Sequence, residues 1–159
     1  MKITVLSVGS IKEKYLIDAI EEYSKRLSKF VKINHITVPD LSINTNPSDK
    51  DIEIIKNKEG MKLLEYMTSD SYNIVLDLKG RMISSEELAS KIDEIFTYNS
   101  PNITFVIGGS LGLSKDVINK ADFSICISKM TFPHKLCKLI LMEQIYRAFK
   151  INNNETYHK

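Results

Sequence analysis

The sequence contains no tryptophan, two cysteines, four prolines and six glycines among 159 residues, and each scarcity closes off a class of protein. Cys126 and Cys137 lie eleven positions apart with no C-x-x-C and no companion histidine cluster. That excludes a disulfide scaffold or a zinc module and predicts two reduced, mostly buried thiols, with no metal site. The few prolines and glycines exclude collagen-like and low-complexity chains. No apolar run approaches the roughly 20 residues needed to cross a bilayer. The opening MKITVLSVGS lacks the longer apolar core and small-residue cleavage site of a secretory leader, so a cytoplasmic protein with no membrane partner is expected. No G-x-x-x-x-G-K-[S/T] occurs, which removes a P-loop.

The hydrophobic fraction of 43% and charged fraction of 26% are those of an ordinary globular domain, and the length suits one compact unit with its own core. The net charge of +2 conceals an asymmetry. From Lys129 onward, six basic residues (Lys129, Lys135, Lys138, Arg147, Lys150, Lys159) face two acidic ones (Glu143, Glu155), leaving the first 128 residues at −2. Three or four cations on phosphates would give a counterion slope of only about −3. Such a patch assists nucleic-acid binding without sustaining it alone; a solvated basic helix face would look the same.

Hydrophobic periodicity alternates strand with helix. Strands are predicted at 2–8, 32–38, 73–78, 102–108 and 123–128. Helices are predicted at 12–30, from about Ser48 to Met67, from Ser84 (with Glu87 at capping-box spacing), from Ser114, and from Pro133 to about Lys150. On the last helix Leu136, Leu139, Ile140, Tyr146 and Phe149 are placed on one side. Strands separated by helices require crossovers, which predicts an α/β fold with a mainly parallel sheet covered on both faces. Ligands of such sheets bind beyond the carboxyl ends of the strands, where the loops after Leu78, Ile107 and Ser128 gather.

One of those loops, TFVIGGSLGLSK (104–115), carries adjacent glycines between a strand and a helix. Against G-x-G-x-x-G it fails at the first glycine, which is Ile107, and no acidic residue lies between Asp122 and Glu143 to bind a ribose. A dinucleotide is therefore disfavoured, and a turn that needs glycine only for its backbone stays open. With the next strand exit, SKMTFPHK (128–135), the loop could form a pocket made mostly of backbone. Such a pocket suits an uncharged adenosine better than a triphosphate.

The segments LDLKGRMISSEELA (76–89), FVIGGSLGL (105–113), SKMTFPHKLCKLILMEQIYRAFKI (128–151) and the terminal YHK (157–159), with KITVLSVG and VPD upstream, resemble the ribosomal RNA large subunit methyltransferase H family. The resemblance runs the length of the chain. It implies a SPOUT-type domain over 1–159 with a C-terminal trefoil knot and a substrate-facing tail at 151–159. It also implies a homodimer, S-adenosylmethionine as methyl donor, and N3 of pseudouridine 1915 in 23S rRNA, in the assembled ribosome, as target. Motif by motif, donor-binding positions fall at Leu76, Gly108, Ile127, Ser128, Lys129, Met130, Thr131 and Phe132. Tyr157 and His158 fall near the target base, and Lys138, Arg147 and Lys159 are candidate RNA contacts.

Members of that family often carry glycine before the YH pair, where this chain has Asn154, which can also adopt a left-handed backbone. They carry arginine where this chain has Lys138, and lysine near Ser10. Either His134 or His158 could accept the imide proton, while His134 could equally be a capping or packing residue. Glu143 and Arg147, one helical turn apart, are expected to pair. Two other classes stay open: a catalytically silent knotted RNA- or ribosome-binding protein, and a small-molecule enzyme with a related adenosine pocket.

Overall fold

A computed structural model describes residues 1–159. Five strands, β1 (Lys2–Val8), β2 (Lys32–Val38), β3 (Tyr72–Met82), β4 (Asn102–Ile107) and β5 (Phe123–Cys126), alternate with five helices. The helices are α1 (Lys14–Leu27), α2 (Asp49–Leu64), α3 (Ser85–Glu94), α4 (Lys115–Lys120) and α5 (His134–Asn152), with a π-helical turn at Ile95–Asn99. The sheet order is β2-β1-β4-β3-β5 and every pairing is parallel, as the alternation predicts.

Parallel strands covered on both faces must be apolar on both, and β1 is buried at every position from Ile3 to Val8. Its odd residues Ile3 and Val5 enter the larger core, with Phe105, Ile92, Leu141 and Ile145 under α1, α3 and α5. Its even residues Leu6 and Val8 enter a smaller core with Val106, Leu63 and Val117 under α2 and α4. The predicted box at Ser84 is formed: its hydroxyl accepts from the Glu87 N–H while the Glu87 carboxylate accepts from the Ser84 N–H. Ser48 and Asp51 make the same box on α2, each cap contributing about 1 kcal/mol. Both cysteines are free thiols, Cys126 buried and Cys137 half-buried. No helix is long and apolar enough to cross a membrane.

Three local expectations are corrected. The predicted strand 73–78 runs on to Met82, with a register break on the way: Leu76 and Arg81 both pair with Ile125 of β5, so the four residues between them leave the ladder. A side chain at Gly80 would lie 2.6 Å from the Ile125 carbonyl carbon, so the glycine lets two backbones touch. The strand predicted at 123–128 stops at Cys126, freeing 127–133 as a loop. On α5, the fully buried face is Lys138, Leu141, Met142, Ile145, Ala148 and Phe149. Leu136 is exposed, and Leu139, Ile140 and Tyr146 are half-buried. The helix carries polar residues on several sides (Lys135, Lys138, Glu143, Gln144, Arg147, Lys150), so periodicity alone does not choose its inward side.

Candidate ligand cleft and C-terminal tail

Strand order places the three predicted loops together. In the sheet, Leu76 of β3 pairs with Ile107 of β4 on one side and Ile125 of β5 on the other. Leu76, on the last rung that β3 shares with β4, therefore lies beside Gly108 and Ile127, which directly follow the ends of β4 and β5. Gly108 is buried, and a side chain there would lie 2.8 Å from the Gly112 carbonyl carbon, so the turn closes on its own backbone. Ile127, Ser128 and Phe132 are half-buried, while Lys129, Met130 and Thr131 are exposed. The Ser128 hydroxyl accepts from the Met130 N–H, and the Cys126 thiol donates to the Ser128 carbonyl, pinning the start of the loop.

Beside β5 lies a cleft of about 290 Å³, near the lower end of ordinary small-molecule sites at roughly 300–1,000 Å³. Ile83, Leu88, Ile125, Cys126, Ile127, Ile140 and Leu141 line it, with Ser84, Ser85 and Gln144 as the polar side chains. No charged residue lines it. Such a wall accepts an uncharged heterocycle and offers a triphosphate nothing. It fits the adenosine of S-adenosylmethionine on that ground.

The C-terminal tail folds back along α5. Asn154, at φ +53°, adopts the left-handed conformation that reverses the chain. Lys150 and Glu155 form an ion pair across the reversal. Tyr157 packs edge-on against Tyr146 and under the Arg147 guanidinium, 4.8 Å from the ring centre. Its hydroxyl donates to Glu143 Oε1 at 3.2 Å. Burial first, then Tyr23 and Glu143, push its pKa up to about 12, so Tyr157 is a proton-bearing donor here.

The expected Glu143–Arg147 pair is formed, Nη2 and Nε donating to Oε1 at 2.6 and 3.0 Å. Arg147 Nη1 also lies 3.2 Å from His158 Nδ1, and His158 Nε2 lies 2.7 Å from Glu86 Oε1. A guanidinium has no lone pair, so Nδ1 must be the acceptor and Nε2 must carry the proton that goes to Glu86. The Glu86 backbone N–H, then His158 and Ser84, hold its carboxyl down to about 2. Sequence reasoning missed Glu86 and Gln144. Glu86 is 72 positions from His158. Gln144 gave no signal of its own, since it follows Glu143 on a helix of mixed polarity.

The remaining predicted residues are placed elsewhere. Lys138 is only 7% exposed, and its Nζ donates to Ser7 Oγ at 3.2 Å with no carboxylate nearby; burial lowers its pKa. In this chain it faces the core under β1 instead of a phosphate, because its position on α5 is one of the inward ones. Lys159 is exposed. His134 stands beside Gly9 and Asp40 at the exit of β1, outside the cleft lining. Burial and then Lys135 lower its pKa.

A parallel sheet covered on both faces, with an uncharged cleft beside its edge strand, defines an α/β domain of the class that takes ligands near the carboxyl ends of its strands. Residues 1–158 match a family model described as predicted SPOUT methyltransferase. The chain is 54% identical over all 159 residues, and over the whole of the relative, to ribosomal RNA large subunit methyltransferase H of Clostridium botulinum strain Alaska E43. It is 52% identical over the same span to that of Alkaliphilus oremlandii. A probable methylase family protein from Haemophilus influenzae shares the fold, with a TM-score of 0.53 at 12% identity, covering 99% of this chain and 70% of that one. The chain belongs to the SPOUT methyltransferase family, in its ribosomal RNA large subunit methyltransferase H branch.

Proposed function

We propose that the protein transfers a methyl group from S-adenosylmethionine to N3 of pseudouridine 1915 in 23S rRNA. In this reading it acts as a cytoplasmic homodimer on the assembled ribosome, through a domain whose C-terminal segment is threaded as a trefoil knot. The observation that carries the reading is the register that brings Leu76 beside the exits of β4 and β5, where Gly108 and Ile127 stand, with Ile127 also lining a cleft without charge, together with full-length relatives that are rRNA methyltransferases by name.

When bound, the donor supplies a methyl already activated by a sulfonium, so alignment can lower most of the barrier. The chain's own residues then have two tasks. The loop 127–132 and the Gly108 turn would hold the donor and shield it from water. The tail handles the imide proton. With the His158 Nε2 proton held by Glu86, Nδ1 is the basic nitrogen, and Arg147 masks it. A substrate phosphate that draws the Arg147 fork away uncovers Nδ1, and Glu86 then stabilises the imidazolium that forms. A positioned base of this kind contributes about 10²–10⁴ in rate. Tyr157 keeps its proton and steadies Glu143.

Incubation of methyl-labelled donor with ribosomes, free 23S rRNA and RNA-free extract tests the assignment. Label on that pseudouridine, highest with ribosomes, is the expected result. Label appearing only in small molecules would overturn the rRNA substrate. Binding of ribosomes with no label anywhere would leave a silent RNA-binding protein.

A further inference from the structure

The three polar side chains of the cleft are not equivalent. The Ser84 hydroxyl is committed to the cap of α3. Ser85 Oγ donates to Gln144 Oε1 at 2.6 Å, and Gln144 Nε2 donates to Glu143 Oε2 at 2.8 Å. The other Glu143 oxygen is the one that holds Arg147 and Tyr157. An unbroken run of hydrogen bonds thus leads from the cleft wall to the tail, and returns through Arg147, His158 and Glu86 to the residue next to Ser85.

We propose that Gln144 is a positioning residue that links occupancy of the cleft to docking of the tail, and that it offers the ligand both a donor and an acceptor, the pattern an aminopurine edge requires. The amide has two orientations. Reversing it would turn its oxygen onto the Glu143 carboxylate, so the carboxylate selects the orientation seen. In that orientation Nε2 keeps a second N–H and Oε1 a second lone pair. A docked tail fixes Glu143 through Arg147 and Tyr157, Glu143 fixes the amide, and the fixed amide binds its ligand without first being ordered. The linkage is reciprocal: a filled cleft holds the tail against α5 to the same degree. The inference rests on the donor reading above.

Calorimetry with S-adenosylhomocysteine on four proteins tests it: the full chain and a chain lacking 155–159, each with and without Gln144→Met. Removing the tail is expected to weaken binding about fivefold in the parent, the lower end of ordinary coupling factors, and to have no effect in the Gln144→Met background. Gln144→Glu, which still accepts from Ser85 but cannot donate to Glu143, gives the same outcome and stands in if the methionine variant does not fold. Equal tail effects with and without the amide, or no tail effect in the parent, would overturn the linkage while the donor reading survives. Absence of binding by all four proteins would overturn the donor reading itself.

Discussion

The cleft beside β5 is walled by seven apolar side chains and no charged one, whereas the tail a few ångströms of hydrogen bonds away is held by Glu143, Arg147, His158 and Glu86. The difference matches the proposed division of labour. A cationic donor with an uncharged base is recognised by shape and backbone. Proton removal and RNA contact need ionisable groups whose partners can be exchanged. Perturbing either region should therefore reach the other only through the modest linkage at Gln144.

The largest effect is expected from the tail. Deleting 155–159 spares α5, which ends at Asn152, and should reduce methyl transfer by about a thousandfold or more, the upper range for a lost general base and its orienting contacts. Donor affinity should change no more than about fivefold. Transfer assays beside calorimetry check this; loss of both activities would merge the two regions into one structural unit.

The converse change is Gly108→Ala, whose new methyl group meets the Gly112 carbonyl carbon. Donor dissociation should rise by about tenfold or more, equivalent to about 1.4 kcal/mol, with the His158 ring resonances unmoved in NMR spectra. A smaller loss, about tenfold in turnover, should follow Arg147→Lys, which keeps the charge but loses the fork that grips Glu143 and masks His158. Its signature is a fall in kcat with little change in donor affinity.

The smallest effect concerns pH. The Glu86 carboxyl is held to about 2 against an ordinary 4.5. A group depressed on folding contributes stability above its unfolded value and loses it as pH falls through its folded one. Tail docking should thus weaken between about pH 4.5 and 2, seen as a shift of the His158 amide resonance. Resonances of the Gly108 turn moving at the same pH would contradict the separation.

The two regions also differ in how far the sequence reveals them. The cleft is made by local events, a strand, a tight turn, a helix start, and each has short-range signals such as the Ser84–Glu87 spacing. Only the length of β3 and the early end of β5 escaped. Gly80 punctuates like a turn residue, yet it serves a backbone contact with Ile125, 45 positions away in a strand that the sequence does not pair with it. In the tail, the Glu143–Arg147 pair is visible because one helical turn separates its members. The contacts of Tyr157 with Glu143 and of His158 with Glu86 depend on the chain reversing at Asn154, and no periodicity encodes where a reversed tail lands. Lys138 shows the limit most sharply. A lysine on a helix of mixed polarity reads as a surface cation, and only the packing of α5 turns it inward to Ser7 of β1.

The position of α5 bears on how the molecule comes to exist. Leu141, Met142, Ile145, Ala148 and Phe149 belong to the larger core, together with Ile3 and Val5 from β1. During synthesis all five strands emerge before these side chains do, so the sheet waits with one face covered only by α1 and α3. The nascent chain thus passes through an interval in which Phe105 and Ile103 lack the part of their cover that α5 supplies, the exposure that invites self-association and chaperone capture. For this fold, the step that completes the core is also the step that delivers the tail.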